Sequence, residues 1–192
     1  MLKQKAGAAQ RFEGEPSRSG RRRTLEIDIR LESDLWNAAA KTTVRWAVRQ
    51  AAATLSTTGA ELAILLTDDS AIRLLNRQWR GVDAATNVLS FPTKEAGGDP
   101  PLIGDIVLAH ETIAREARAE SKPFAHHLAH LAVHGYLHLL GYDHERAHDA
   151  DAMENAERKI LRRLAIPDPY RQRAARSGKP AGRTSKEHNR AR

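Results

Sequence analysis

The sequence predicts an α+β domain: a small mixed four-stranded sheet covered by about five helices, with a central, buried helix that carries histidines. Three observations predict it. The 192 residues, 41% of them hydrophobic, suffice for one packed core plus tails. Strand-like and helix-like segments follow one another in mixed order, without an internal repeat. The segment from Leu128 to Leu140 is apolar on two sides, Leu128, Leu131, Ala132, Gly135 and Leu139 on one and Val133, Leu137 and Leu140 on the other, so it needs packing partners on both.

Taken in order, Leu25, Ile27, Ile29 and Leu31 alternate with polar residues, the period of a half-buried first strand. Ser33 or Asp34 then offers an N-cap to a helix over about 35–55 that carries Leu35, Trp36, Val44 and Val48. Glu61 to Thr67 is a short apolar run bounded by Gly59 and Asp68, hence a buried strand, and a helix from near Ser70 ends at Trp79-Arg80-Gly81. Thr86 to Pro92 reads as a third strand that ends at Pro92 or lies at an edge, because proline cannot donate to a ladder. Glu95 to Pro101 is a loop, Gly104 to Ala109 a fourth strand, and His110-Glu111-Thr112 opens a helix to about Ser121. Pro123 separates that helix from the histidine helix, and a last amphipathic helix over about 147–164 buries Met153, Ala156, Ile160 and Leu164 before Pro167.

Charge is distributed unevenly. The net +7 comes from the ends: residues 1–23 carry +5 and 171–192 carry +7, which leaves −5 for 24–170. Both ends lack a periodicity that could bury a face and are expected to be disordered; phosphate is the natural target of such basic tails. A basic groove on the folded body is not implied. With no cysteine, disulfides and thiolate ligands are excluded, leaving His, Asp and Glu as the strong metal ligands. No apolar run reaches the length of a membrane span, so a cytoplasmic chain without a membrane partner is expected.

The chemistry concentrates in His134 to His144. His134 and His138 are four apart and share one helix face, the arrangement by which two imidazoles chelate one ion. Gly141, just past the last turn, can adopt the left-handed conformation that lets the chain double back and bring His144 to the same point. His130 and His138 lie about 12 Å apart along the axis, too far to share an ion that holds nitrogens at roughly 2.0–2.1 Å. His126, His127, His130 and His148 are therefore left out. Singly, each histidine reads as an ordinary polar or core residue; spacing, helix stop and third ligand together read as one Zn2+ ion with an open position for a water it activates. The metzincin proteases have the same spacing, but Gly135 stands where they carry the glutamate that takes the proton, which argues against peptide cleavage.

Two separated stretches resemble one family. His134 to His144 is similar to the signature of the YbeY family of bacterial endoribonucleases, which act in ribosomal RNA maturation. Leu74 to Gly81, followed by Thr86 to Pro92, resembles that family's other characteristic segment, and Gly104-Asp105-Ile106 also fits. The resemblance spans about 24–170. It implies His134, His138 and His144 as zinc ligands and Arg80, by itself readable as a solvated helix-end charge, as an arginine important for activity. A guanidinium suits that role because phosphodiester cleavage builds negative charge on phosphorus oxygens. It further implies cleavage of single-stranded RNA at the 3′ end of 16S ribosomal RNA, in contact with the small ribosomal subunit, its proteins and a ribosome-associated GTPase. One departure is Ala85, where the family pattern commonly has proline, which implies a less restrained loop.

Two other readings compete: a ribosome-assembly RNA-binding factor with a structural zinc, and a metallopeptidase. The general acid and base are open; Asp143 and Glu111 are carboxylates near the motifs, for which a surface or capping role is the simpler expectation.

Overall fold

Alternation in the first apolar segment produces β1 (Glu26–Leu31), which buries Ile27 and Ile29, while Leu31 at the strand end stays 42% exposed. The computed structural model describes residues 24–93, 100–144 and 147–171. The tail expectations over 1–23 and 172–192, and most of the loop expected over 95–101, fall outside them. After β1 come α1 (Ala38–Leu55), β2 (Glu61–Thr67), α2 (Asp69–Arg80), β3 (Val88–Pro92), β4 (Leu102–Ala109), α3 (His110–Ala119), α4 (Phe124–Leu139) and α5 (Ala147–Arg163). The predicted α+β class is what the chain adopts, with four strands and five helices among the described residues.

The start of α1 corrects the sequence expectation. Asn37, not Ser33 or Asp34, is the N-cap, its Oδ1 accepting the Ala40 N–H at 3.0 Å. The turn before it is held differently: Trp36 is buried and its Nε1–H donates to the Thr67 carbonyl at 2.7 Å, so tertiary burial of the indole postpones the helix.

The sheet order is β1-β2-β4-β3, with β1, β2 and β4 parallel and β3 antiparallel at the edge, where Pro92 is tolerated. One face carries Ile27, Ile29, Leu62, Ile64, Leu66, Ile106 and Leu108 into the main core, against α1 and α4. α4 lies between the sheet and α1, α3 and α5, the central place its two apolar sides require. On the opposite face α2 covers Leu89, Val107 and Ala109 through Ile72, with Ala85 of the following loop packed beside them.

α2 and α3 cap each other. Asp69 accepts from the N–H and hydroxyl of Thr112, and Glu111 accepts the Asp69 N–H at 3.1 Å. Glu111 is thus a capping carboxylate. The loop after α2 is tied down despite Ala85: Gly81 closes the helix at φ +72°, Asn76 donates to the Ala84 carbonyl at 2.8 Å, and Arg73 binds Asp83 through two hydrogen bonds.

Candidate metal centre

α4 stops as its sequence requires. The Gly141 N–H donates to the His138 carbonyl and the Tyr142 N–H to the Leu137 carbonyl, each at 3.1 Å, with Gly141 at φ +85°. This paired closure reverses the chain and returns His144 to the face that carries His134 and His138. One candidate ligand nitrogen from each histidine lies within 4.8 Å of the other two. His134 Nε2 and His138 Nε2 are 3.1 Å apart. Two nitrogens on one tetrahedral zinc stand about 3.3 Å apart, so the donor set fits a single ion.

A buried carboxylate orients the set. The Nδ1–H of His134 donates to Glu157 Oε1 at 2.8 Å, which leaves the Nε2 lone pair directed at its two neighbours. Glu157 is 0% exposed and also accepts from His130 Nε2 at 3.3 Å and from the Tyr170 hydroxyl. Burial alone would raise its pKa, but hydrogen bonds from His130, His134 and Tyr170 outweigh that and hold it at about 2. Burial, with the neighbouring His134 and His144, pushes His138 down and favours the neutral, ligating form.

The three histidines open on a cleft of about 580 Å3 whose other wall is β3, with Asn87, Ser90 and Pro92, and whose rim carries Arg80 and Asp143. The family described as endoribonuclease YbeY matches residues 26–165. Proteins from Rhodopseudomonas palustris (strain CGA009) and Nitrobacter hamburgensis, both named endoribonuclease YbeY, are 53% and 52% identical over 151 and 153 residues, covering 74% of this chain and 80% of each relative. The chain belongs to the YbeY family. The solution structure of TM1509 from Thermotoga maritima superposes with a TM-score of 0.53 over 81% of this chain and 96% of that one; at 23% identity the likeness is one of fold.

Both YbeY-like stretches meet at this cleft. Arg80, the last residue of α2, reaches the same space as the histidines and donates to the Ser90 carbonyl at 3.4 Å, a long bond. Ser90 in turn donates through Oγ to the Gly135 carbonyl at 3.1 Å, so β3 is fastened to α4 where the YbeY motif runs. Of the histidines left out, His127 pairs with Glu116 at 2.8 Å and His130 with Glu157, and neither joins the cluster.

Gly135 gives the absence of a protease-type glutamate a packing reason. A Cβ there would sit 3.1 Å from Ile106 Cγ2 and Ser90 Oγ, and 3.3 Å from Val88 Cγ2. Alanine would be roughly balanced, since about 1 kcal/mol of helix propensity offsets the tight fit. Gly135→Glu is expected to cost about 3 kcal/mol or more, because it drives a carboxylate between helix and sheet; a thermal melt of the variant checks this.

Glu157 and Tyr170 escaped the sequence reading. The available signal for Glu157 was position: it falls between Met153 and Ile160 on the apolar side of α5, where an acidic residue is buried only if partnered. Tyr170 lies beyond α5 and carried no such sign.

Proposed function

We propose that this chain is a zinc-dependent endoribonuclease that cleaves single-stranded precursor ribosomal RNA, with His134, His138 and His144 holding one ion. The observation that carries the reading is the convergence of three ligand nitrogens within 4.8 Å in a cleft that also receives Arg80. An ion bound there supplies Lewis acidity and lowers the pKa of a coordinated water toward 7. The protein's groups do the rest. Arg80 exchanges its long bond to the Ser90 carbonyl for phosphate oxygens, where its charge stabilises the negative charge that grows as the phosphodiester breaks. Asp143, whose Oδ1 accepts the His144 N–H at 2.6 Å, is the carboxylate lining the cleft among the described residues and the candidate proton acceptor for the attacking water. Family membership supports RNA as the substrate. The 3′ end of 16S ribosomal RNA, the small subunit with its proteins, a ribosome-associated GTPase and a cytoplasmic location complete the proposal; no helix among the described residues is long and apolar enough to cross a membrane.

Metal content and cleavage of a structured RNA precursor, measured together, test it. His138→Ala is expected to lose both the zinc and the cleavage. Arg80→Ala is expected to keep the zinc and lose about 10²- to 10³-fold in rate. Zinc bound by every form with no RNA cut by any would favour an assembly factor with a structural ion. A metallopeptidase is disfavoured because position 135 has neither the glutamate nor room for one.

The basic end of the chain should act through phosphate. Removing 171–192, which carries +7, is expected to flatten the plot of log binding constant against log salt for RNA while leaving zinc content unchanged.

A further inference from the structure

Among the described residues, the part of the α2-side sheet face not covered by α2 forms a second, larger cavity of about 1060 Å3, above the size range of most small-ligand pockets. It borders the histidine cleft across β3, where Arg80, Ser90 and Pro92 line both. Register puts Asp28, Ala63, Asp105 and Phe91 in one row across the four strands. Small Ala63 leaves a trough in the middle of that row. At the β3 end Trp79 of α2, 62% exposed, meets Phe91 edge to face with ring centroids 5.8 Å apart, which makes an aromatic corner. Next to Phe91, in the adjacent strand, stands the exposed Asp105, with no hydrogen bond or ion pair among the described residues. Arg80 and Arg30 are the cations that line the cavity.

We propose that this face is a nucleobase subsite, in which an RNA strand leaving the metal cleft stacks a base against Trp79 and Phe91 and presents a guanine edge to Asp105. The inference rests on the nuclease reading for the direction of the strand. Its chemistry is its own. Aromatic side chains stack with any base, and a carboxylate accepts two parallel hydrogen bonds from the N1–H and N2–H of guanine. Uracil offers one donor beside two acceptors that a carboxylate repels. Asp28 and Asp105 also repel phosphates from the trough, which turns the backbone toward Arg80 and Arg30 while the bases face the sheet. A basic protein segment would match the two aspartates and stack a cation on the aromatic corner, but it would meet like charge at Arg30 and Arg80.

The test uses the metal-loaded full chain and fluorescein-labelled RNA hexamers, one of uridines only and one with a single central guanine, read by anisotropy before measurable cleavage. The guanine hexamer is expected to bind about 5- to 100-fold more tightly. Asp105→Asn should abolish that preference, and because it removes the charge that repels uracil's acceptors it should tighten rather than weaken the uridine hexamer. Trp79→Leu should weaken both by about 5- to 100-fold and remove the quenching of tryptophan fluorescence on binding, with zinc content and melting temperature as in the parent. Equal affinity for the two hexamers, or variants within twofold of the parent, would overturn the subsite; so would an arginine-rich peptide that binds in place of RNA and is indifferent to Trp79. Guanine-selective binding without cleavage by any form would sink the nuclease reading alone, whereas cleavage with affinities unmoved by either variant would sink the subsite alone. No RNA binding by any form would remove both.

Discussion

Glu157→Ala is expected to cost about 3–5 kcal/mol of stability and to weaken zinc binding by about 10- to 100-fold. The carboxylate is fully buried and receives His130, His134 and Tyr170 together, so alanine leaves three donors without their acceptor. It also frees His134 to rotate and to carry its proton on either nitrogen, which misdirects the lone pair the ion requires. Denaturant unfolding of the metal-free protein and zinc titration of the folded protein separate the two effects. Glu157→Gln should fall between, since an amide still accepts but brings an N–H that faces another donor. A normal zinc affinity in a folded Glu157→Ala variant would reduce this residue to a packing role. The same network predicts acid lability. The folded-state pKa of about 2 lies below the ordinary 4.5, so the contribution of Glu157 is complete above pH 4.5 and is lost as pH falls toward 2. A melting temperature that declines across that interval in the parent, and less steeply in Glu157→Gln, is the expected result.

Gly104→Ala should be more damaging than its size suggests, at about 3 kcal/mol or more, equivalent to a fall of roughly 6–12 °C in melting temperature for a domain of this size. Gly104 has φ +142°, which side chains rarely adopt, and a Cβ there would lie 2.3 Å from the Phe91 carbonyl oxygen and 2.9 Å from Leu139 Cδ2. The Leu139 methyl can rotate away; the Phe91 carbonyl belongs to the paired β3–β4 ladder and cannot. Relief requires β3 to separate from β4 where Pro92 faces Gly104. Because β3 carries Ser90, the acceptor for Arg80 and the tie to Gly135, the variant should also lose cleavage in excess of its loss of folded protein. A folded fraction with parental activity per molecule would show that the site tolerates movement of the strand.

The expectations that held are those with a short-range cause. Leu25, Ile27 and Ile29 alternate because a strand has a period of two, and α2 begins and ends within a residue or so of its cap and glycine because those groups bond locally. The candidate site was legible for the same reason. Spacing of four on a helix, then a left-handed glycine, is enough to bring His134, His138 and His144 together without reference to the rest of the chain. The start of α1 was misplaced because Trp36 answers to a carbonyl on β2, thirty-one residues away, and no local rule sees it.

By itself the sequence determined the segments, their class, the clustering of the three histidines and the family resemblance, since each depends on residues within one or two turns or on a contiguous motif. Tertiary structure alone decided that Glu157 of α5 would hold His134, that Arg80 would share a cleft with a histidine cluster more than fifty residues later, and that, among the described residues, part of one sheet face would lie open beside it. Those facts follow from how helices and strands distant in the chain pack across a common core, where long-range burial and hydrogen bonding, rather than local periodicity, select the neighbours.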